Sequence, residues 1–201
     1  MRLITAFLVF LIVTSIHAES YRDIDPLDDL GAVKAKFPNA TANRLTPGWA
    51  QPTDAMYQFT GIGMSGTIIV KFDDSRPSYK KELESGSATV SAELLQNLIN
   101  QTDDEALTVS WVRWIPDSQI PLQRLISKYG KPEKSGFSDE NFEPYRSWDK
   151  RGISVYLSDD EKFVQRIDFS FTKDEMRKAW LRKYKIVPYW LRDKPREVKK
   201  K

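Results

Sequence analysis

Ser78-Tyr79-Lys80-Lys81 has the Ser-x-x-Lys spacing in which a lysine activates a serine nucleophile in penicillin-recognising enzymes. That chemistry also needs Ser-Asp-Asn and Lys-Thr-Gly companions, and the chain has neither, so chance placement in a polar linker accounts for the four residues. Gly61-Ile62-Gly63-Met64-Ser65-Gly66 has the glycine density of a phosphate-cradling loop. No Lys-Ser/Thr follows it, and a β-branched run comes next rather than a helix, so a hairpin turn is the better account. Asp73-Asp74, Asp103-Asp104-Glu105 and Asp159-Asp160-Glu161 could supply paired carboxylates for glycoside hydrolysis or oxygen ligands for calcium. Each falls where a turn ends an expected strand or helix, where Asp is locally favoured, and none has the Asp-x-Asp-x-Asp-Gly spacing of a calcium loop.

Cysteine is absent, which excludes disulfides, thiol nucleophiles, thiolate metal sites and a lipid-modified N-terminal cysteine. The single histidine, His17, lies in a segment expected to be removed. Residues 1–18 read as a cleavable signal peptide: Arg2 supplies the positive end, Ala6–Val13 the apolar centre and Ala18 the small residue before the cut. The apolar stretch is shorter than the roughly 20 residues of a membrane-spanning helix. The mature chain from Glu19 is thus expected to be exported, periplasmic or secreted. It has no imidazole for a Ser-His-Asp triad or for His-ligated zinc, and no cofactor is expected. Asn39-Ala40-Thr41 and Asn100-Gln101-Thr102 are glycosylation sequons, relevant in a eukaryotic source.

The formal charge of +3 divides unevenly: residues 173–201 carry +8 and residues 19–172 carry −6. In the basic segment Met176, Trp180, Tyr184 and Val187 share one helical stripe, surrounded by Arg177, Lys178, Arg182, Lys183 and Lys185. Val187-Pro188-Tyr189-Trp190-Leu191-Arg192 adds a second aromatic cluster. Two uses are open to these residues. Trp180, Tyr184, Tyr189 and Trp190, with Arg182, Lys183 and Arg192, could contact an acidic protein or an anionic envelope surface. Alternatively, Trp180 and Tyr184 cap the core while the lysines are solvated. Export argues against nucleic acid.

The elements that would position these groups follow from spacing. A helix is expected from Asp25-Pro26 to Lys36, then a loop over 39–53, a strand through Met56 and Phe59, and a strand over Thr67–Phe72. Residues 75–87 read as a polar linker and 89–100 as a helix. The strand from Ala106 to Trp114 has Leu107, Val109 and Trp111 on one side and Val112 and Trp114 on the other. A helix over 120–129 ends at Gly130. A loop runs on to about residue 143, with strands at Tyr145–Trp148, Ile153–Leu157 and Phe163–Phe171 and a terminal helix from Thr172 or Lys173. The fold class expected is α+β. It comprises a first helix-plus-antiparallel-sheet unit over 19–114, a second over 115–172 with the same order of parts, and a basic aromatic helix and tail over 173–201.

Residues 120–171 resemble the small outer-membrane assembly lipoprotein module SmpA/OmlA (BamE-like) and, more distantly, the repeats of the β-lactamase inhibitor protein. The carriers are the helix Pro121–Tyr129 ending in Gly130-Lys131-Pro132, the Trp148 strand, and the strands Ile153–Leu157 and Phe163–Phe171. The resemblance covers about a quarter of the chain. It implies helices on one face of an antiparallel sheet and an open surface used for protein contacts. The function expected is an exported, non-catalytic binding or adaptor protein contacting a protein or envelope component. The alternatives are a carboxylate- or Lys-dependent envelope enzyme and a structural envelope subunit.

Overall fold

The computed structural model describes residues 24–45, 55–61, 66–86, 90–139 and 142–192. Residues 1–18, expected as a signal peptide, the glycine-rich stretch 62–65 and residues 193–201 lie outside the described residues. The fold is α+β, built on a nine-stranded antiparallel sheet.

The first helix begins later than its sequence signals suggest. The Asp25 N–H donates to Asp28 Oδ2 at 2.6 Å, closing a turn, and α1 (Leu30–Lys36) starts behind Asp29, whose carboxylate accepts from the Ala32 N–H at 2.8 Å. Asp29 is the N-cap because Asp28 is committed to that turn and to Lys36. Strands β1 (Thr41–Leu45), β2 (Ala55–Thr60) and β3 (Thr67–Asp74) then form a meander.

The 75–87 stretch, expected as a linker, contains helix α2 (Arg76–Ser85). Pro77 sits in its first turn, where no N–H is needed, and Gly86 ends it at φ +63°. Only Tyr79 and Glu82 are buried, too few to show as apolar periodicity. Helix α3 (Ala92–Ile99) is capped by Ser91, and the single turn α4 (Asp103–Ala106) leads into β4 (Leu107–Ile115).

The second half begins with the short β5 (Ile120–Pro121) and α5 (Leu122–Tyr129), followed by β6 (Lys134–Ser138), β7 (Glu143–Trp148), β8 (Ile153–Leu157) and β9 (Phe163–Ser170). The order across the sheet is β1-β2-β3-β4-β9-β8-β7-β6, with β5 also on β9. From the β4–β9 seam outward, each half thus runs from its last strand to its first. The expected boundary at residue 114 falls in β4, and the sheet crosses it unbroken. β1 and β6, both expected as loop, are the two edge strands; paired on one side only, they lack the alternating burial that identifies a strand in sequence.

Three apolar clusters hold the molecule together. Val33 of α1 and Phe37, which caps its C-terminus, pack with Phe59, Ile68, Val70, Phe72, Val109 and Val112. Leu122 and Leu125 of α5 pack with Trp148, Ile153, Val155, Leu157, Val164 and Ile167 on the same face of the second half. There the buried Trp148 indole donates to the Gly130 carbonyl at 3.0 Å, tying the end of α5 to the sheet. Gly152 starts β8 at φ +64°, and a Cβ on it would lie 1.9 Å from the Ser170 carbonyl oxygen, so only glycine fits between β8 and β9. The third cluster joins α2, α3 and α6 (Lys173–Tyr184), with Leu27 and Leu191 beside Trp180.

Candidate functional site

The basic aromatic segment is the first place to look, and most of its described groups turn inward. Helix α6 starts at a capping box in which Thr172 and Glu175 bond reciprocally. Trp180 is 1 % exposed, with Tyr79, Tyr184 and Trp190 around it at ring-centroid distances of 5.9, 4.8 and 5.8 Å. Trp180, expected as an exposed contact, is therefore a core residue: the helical stripe that carries it faces α2 and α3. Tyr184 packs against the same cluster, and burial pushes its hydroxyl up to about 12. Trp190 stands edge-on to Trp180 and remains 37 % exposed. Tyr189 lies in the 3-10 turn Tyr189–Leu191, and its side chain is outside the described residues.

The charges expected around those aromatics are also engaged. Arg182 pairs with Asp25, Lys183 donates to the Leu27 carbonyl at 3.0 Å, and Arg192 donates to the Val187 carbonyl at 3.2 Å. Arg177 and Lys173 donate to the carbonyls of Leu191 and Arg192. Arg182 and Lys183 also border a shallow cleft of about 290 Å³ against Asp25, Asp28 and Asp29. Those carboxylates already serve Arg182, Lys36 and the α1 cap.

Several carboxylates of the acidic clusters are likewise engaged locally, while the Asp103 and Asp104 side chains lie outside the described residues. Asp74 accepts from Arg76, whose hydrogen bonds hold its carboxyl below the usual range, and Asp73 pairs with Lys71. Glu105 closes the capping box of α4, and Asp160 accepts from Ser158 and the Lys162 N–H. Among the described residues no group of three or more His, Asp or Glu could hold a metal ion. Ser78 and Lys81 lie exposed on α2, whose buried side is Tyr79 and Glu82.

The other face of the sheet is where side chains converge. An irregularity between Lys71 and Phe72 sets Lys71 opposite Trp111 and Phe72 opposite Val109, leaving Ser110 as the extra residue of a β-bulge. The bulge reverses the alternation expected for β4: Val109 and Val112 share the core, while Trp111 and Arg113 share the opposite face. Ile69, Arg113, Asp168, Ser154 and Ser147 are successive cross-strand partners on that face. Tyr145, Tyr156 and Arg166 form the next row. Among the described residues no helix joins a cluster with these side chains.

Arg113 and Asp168 form a bidentate pair across the seam, Nε to Oδ1 and Nη2 to Oδ2 both at 2.7 Å, which raises Arg113 above its ordinary value. The Arg113 guanidinium lies 5.0 Å from the Trp111 ring centroid. The Arg166 guanidinium lies 3.8 Å from that of Tyr156 and pairs with Glu143. Tyr145 stands 6.4 Å from Tyr156 and crosses Gly136 on the edge strand, where a Cβ would come 2.9 Å from its ring. Lys71–Asp73, Arg113–Asp168, Arg166–Glu143 and Lys134–Asp149 match these four described cations of the face with carboxylates. The surface is thus aromatic, rich in fixed hydrogen-bonding groups, and electrically balanced.

The sequence reading passed over Trp111, Arg113, Tyr145, Tyr156 and Arg166 as site residues. Ser154-Tyr156 and Arg166-Asp168 alternate with buried Ile153, Val155 and Ile167 and half-buried Phe169, so their outward direction was legible. Their convergence depends on the seam between the halves, which alternation does not encode.

Fold and site together define an α+β protein whose antiparallel sheet carries α1 and α5 on one face and, on the other, an aromatic and charge-paired set of half-buried side chains. Compared with family models, curated proteins and solved structures, the chain matches none.

Proposed function

We propose that this is an exported, non-catalytic binding protein that contacts a protein of the cell envelope through the open face of its sheet. The observation that carries the reading is the gathering of Trp111, Arg113, Tyr145, Tyr156 and Arg166 on the sheet face opposite α1 and α5, where no described helix joins them in an apolar cluster. Trp, Tyr and Arg are the residue types that dominate binding energy at protein interfaces, because they bring large contact area and fixed donors at low entropic cost. The pairing of these four cations with carboxylates favours a protein over an anionic membrane or a polyanion, which would call for excess positive charge. The signal-peptide pattern of residues 1–18 supports export, and the resemblance of residues 120–171 to BamE-like and β-lactamase-inhibitor modules supports the use of an open sheet surface. No described helix is long and apolar enough to cross a membrane.

The test is capture from the source organism's envelope fraction by the mature chain, by a Trp111→Ala/Tyr145→Ala variant and by a Lys185→Glu/Arg192→Glu variant. The reading expects one protein retained by the first and third and lost by the second. Loss only with the tail variant would move the site to the C-terminal segment. A stable homo-oligomer with no captured partner would favour a structural envelope subunit.

A further inference from the structure

The free edge of the second half, β6, lacks the features that usually keep such an edge unpaired. Among the described strands only β7 pairs with it, and Lys134, Ser135, Gly136 and Phe137 along it are exposed. A strand paired on one side presents a row of main-chain donors and acceptors, which native proteins guard with central charges, proline or a bulge. β6 has no proline and no break in its register with β7, and its one charge, Lys134, stands at its first residue. Phe137 is 57 % exposed and Phe142, just before β7, 77 %, more than any other large apolar side chain among the described residues. The two ends of this edge differ in charge. Where β6 begins, Lys128 and Arg151 lie 5.0 and 5.7 Å from the Tyr129 ring centroid, and with Lys131, Lys134 and Lys150 they outnumber Glu133 and Asp149. Where it ends comes Asp139, and the turn carrying Asp159 and Asp160 lies at the same end of the sheet.

An edge charged in this way is complementary to itself run in reverse. In an antiparallel pair related by a two-fold axis, the basic end of each strand meets the acidic end of the other, and the contact occurs twice. Charge also selects the register. An axis through Gly136 would set Glu133 opposite Asp139 of the copy, and like charges directly opposite are destabilising. An axis through Ser135 sets Lys131 opposite Asp139 and Lys134 opposite Gly136. Phe137 then lies over the stem of Glu133, whose N–H keeps the chain beside β7 by donating to the Ser147 carbonyl at 2.8 Å. The carboxylates of Asp139 and Glu143 beside the two exposed rings disfavour an anionic membrane as the occupant. We propose that β6 pairs with β6 of a second copy of this chain, antiparallel about an axis through Ser135, so that two sheets become one and their open faces lie side by side. The contact is smaller than the roughly 800 Å² per partner of a stable complex, so the dimer is a weak one, with a Kd of about 10–100 µM.

The experiment is sedimentation velocity of the mature chain over about 1–500 µM, a range that brackets that Kd. The expected result is a reversible monomer–dimer equilibrium with nothing larger, because a two-fold contact closes on itself. Lys131→Glu and Asp139→Lys should each weaken the dimer about tenfold, since each turns two attractions into two repulsions. Both positions are exposed, and circular dichroism verifies that the variants fold. An equimolar mixture of the two variants should restore dimerisation, because every contact in the mixed dimer again joins opposite charges. A chain that stays monomeric throughout overturns the proposal. So does a dimer that neither variant weakens, a mixture that fails to restore it, or growth beyond two copies. The capture experiment is independent of these outcomes, since its variants do not touch β6 or Lys131 and Asp139.

Discussion

Replacing Trp180 by alanine tests whether the C-terminal helix belongs to the core or to a contact surface. The side chain is 1 % exposed and has three aromatic neighbours within 6 Å by ring centroid. A buried tryptophan removes about 200 Å² from water, and at about 25 cal/mol per Å² this is worth ~5 kcal/mol. Alanine retains its Cβ, and the unfolded chain already buries some of that area, which lowers the expected loss to about 3–4 kcal/mol. With a urea slope of about 2 kcal/mol per molar, the unfolding midpoint should fall by roughly 1.5–2 M at unchanged slope. Leu181→Ala, one residue on and 44 % exposed, is the internal control and should cost under about 0.5 kcal/mol. A Trp180→Ala loss below about 1 kcal/mol at unchanged slope would refute the packing argument and return Trp180 to the list of candidate contacts.

The Arg113–Asp168 pair should behave as a unit: either single alanine variant costs about 2 kcal/mol in urea unfolding, and a double-mutant cycle gives a coupling of about 1 kcal/mol or more. Additive losses would show that the pair does not hold the seam. Gly152→Ala places a Cβ 1.9 Å from the Ser170 carbonyl at a left-handed φ, so a loss of about 2 kcal/mol or more is expected, read as a lowered melting temperature; a near-neutral result would contradict that packing. Burial raises Tyr184 to about 12 and Tyr79 in the same direction, whereas an unfolded tyrosine ionises near 10. The folded state therefore keeps these hydroxyls protonated while the unfolded state releases them. Their stabilising contribution is complete below about pH 10 and declines as the pH rises toward 12, a fall that should disappear in Tyr184→Phe/Tyr79→Phe.

Much of the fold was legible because apolar residues recur at the period of the element that carries them. Ile153, Val155 and Leu157 fix one strand, and Leu94, Leu95 and Leu98 fix a helix face. The signal fails where burial is not what makes the element. β1 and β6 form because a neighbour supplies hydrogen bonds, and α2 forms around two buried side chains, Tyr79 and Glu82. In β4 one extra residue at Ser110 moves Trp111 to the open face, and alternation has no way to register an insertion that only the partner strand reveals. The tail misled for a related reason: a stripe of Trp180 and Tyr184 among cations reads alike whether it faces a partner or its own core. The deciding fact is that Tyr79, Val90 and Leu95 lie opposite it.

The most direct test of the open-face account is the dissociation constant of the captured envelope protein, measured with the purified mature chain and its folded variants. Loss of an interface aromatic costs about 2 kcal/mol or more, so Trp111→Ala or Tyr156→Ala should weaken binding about 30-fold, while Arg192→Ala changes it less than about threefold. Unchanged affinity in both open-face variants, or a larger loss with Arg192→Ala, would contradict the account.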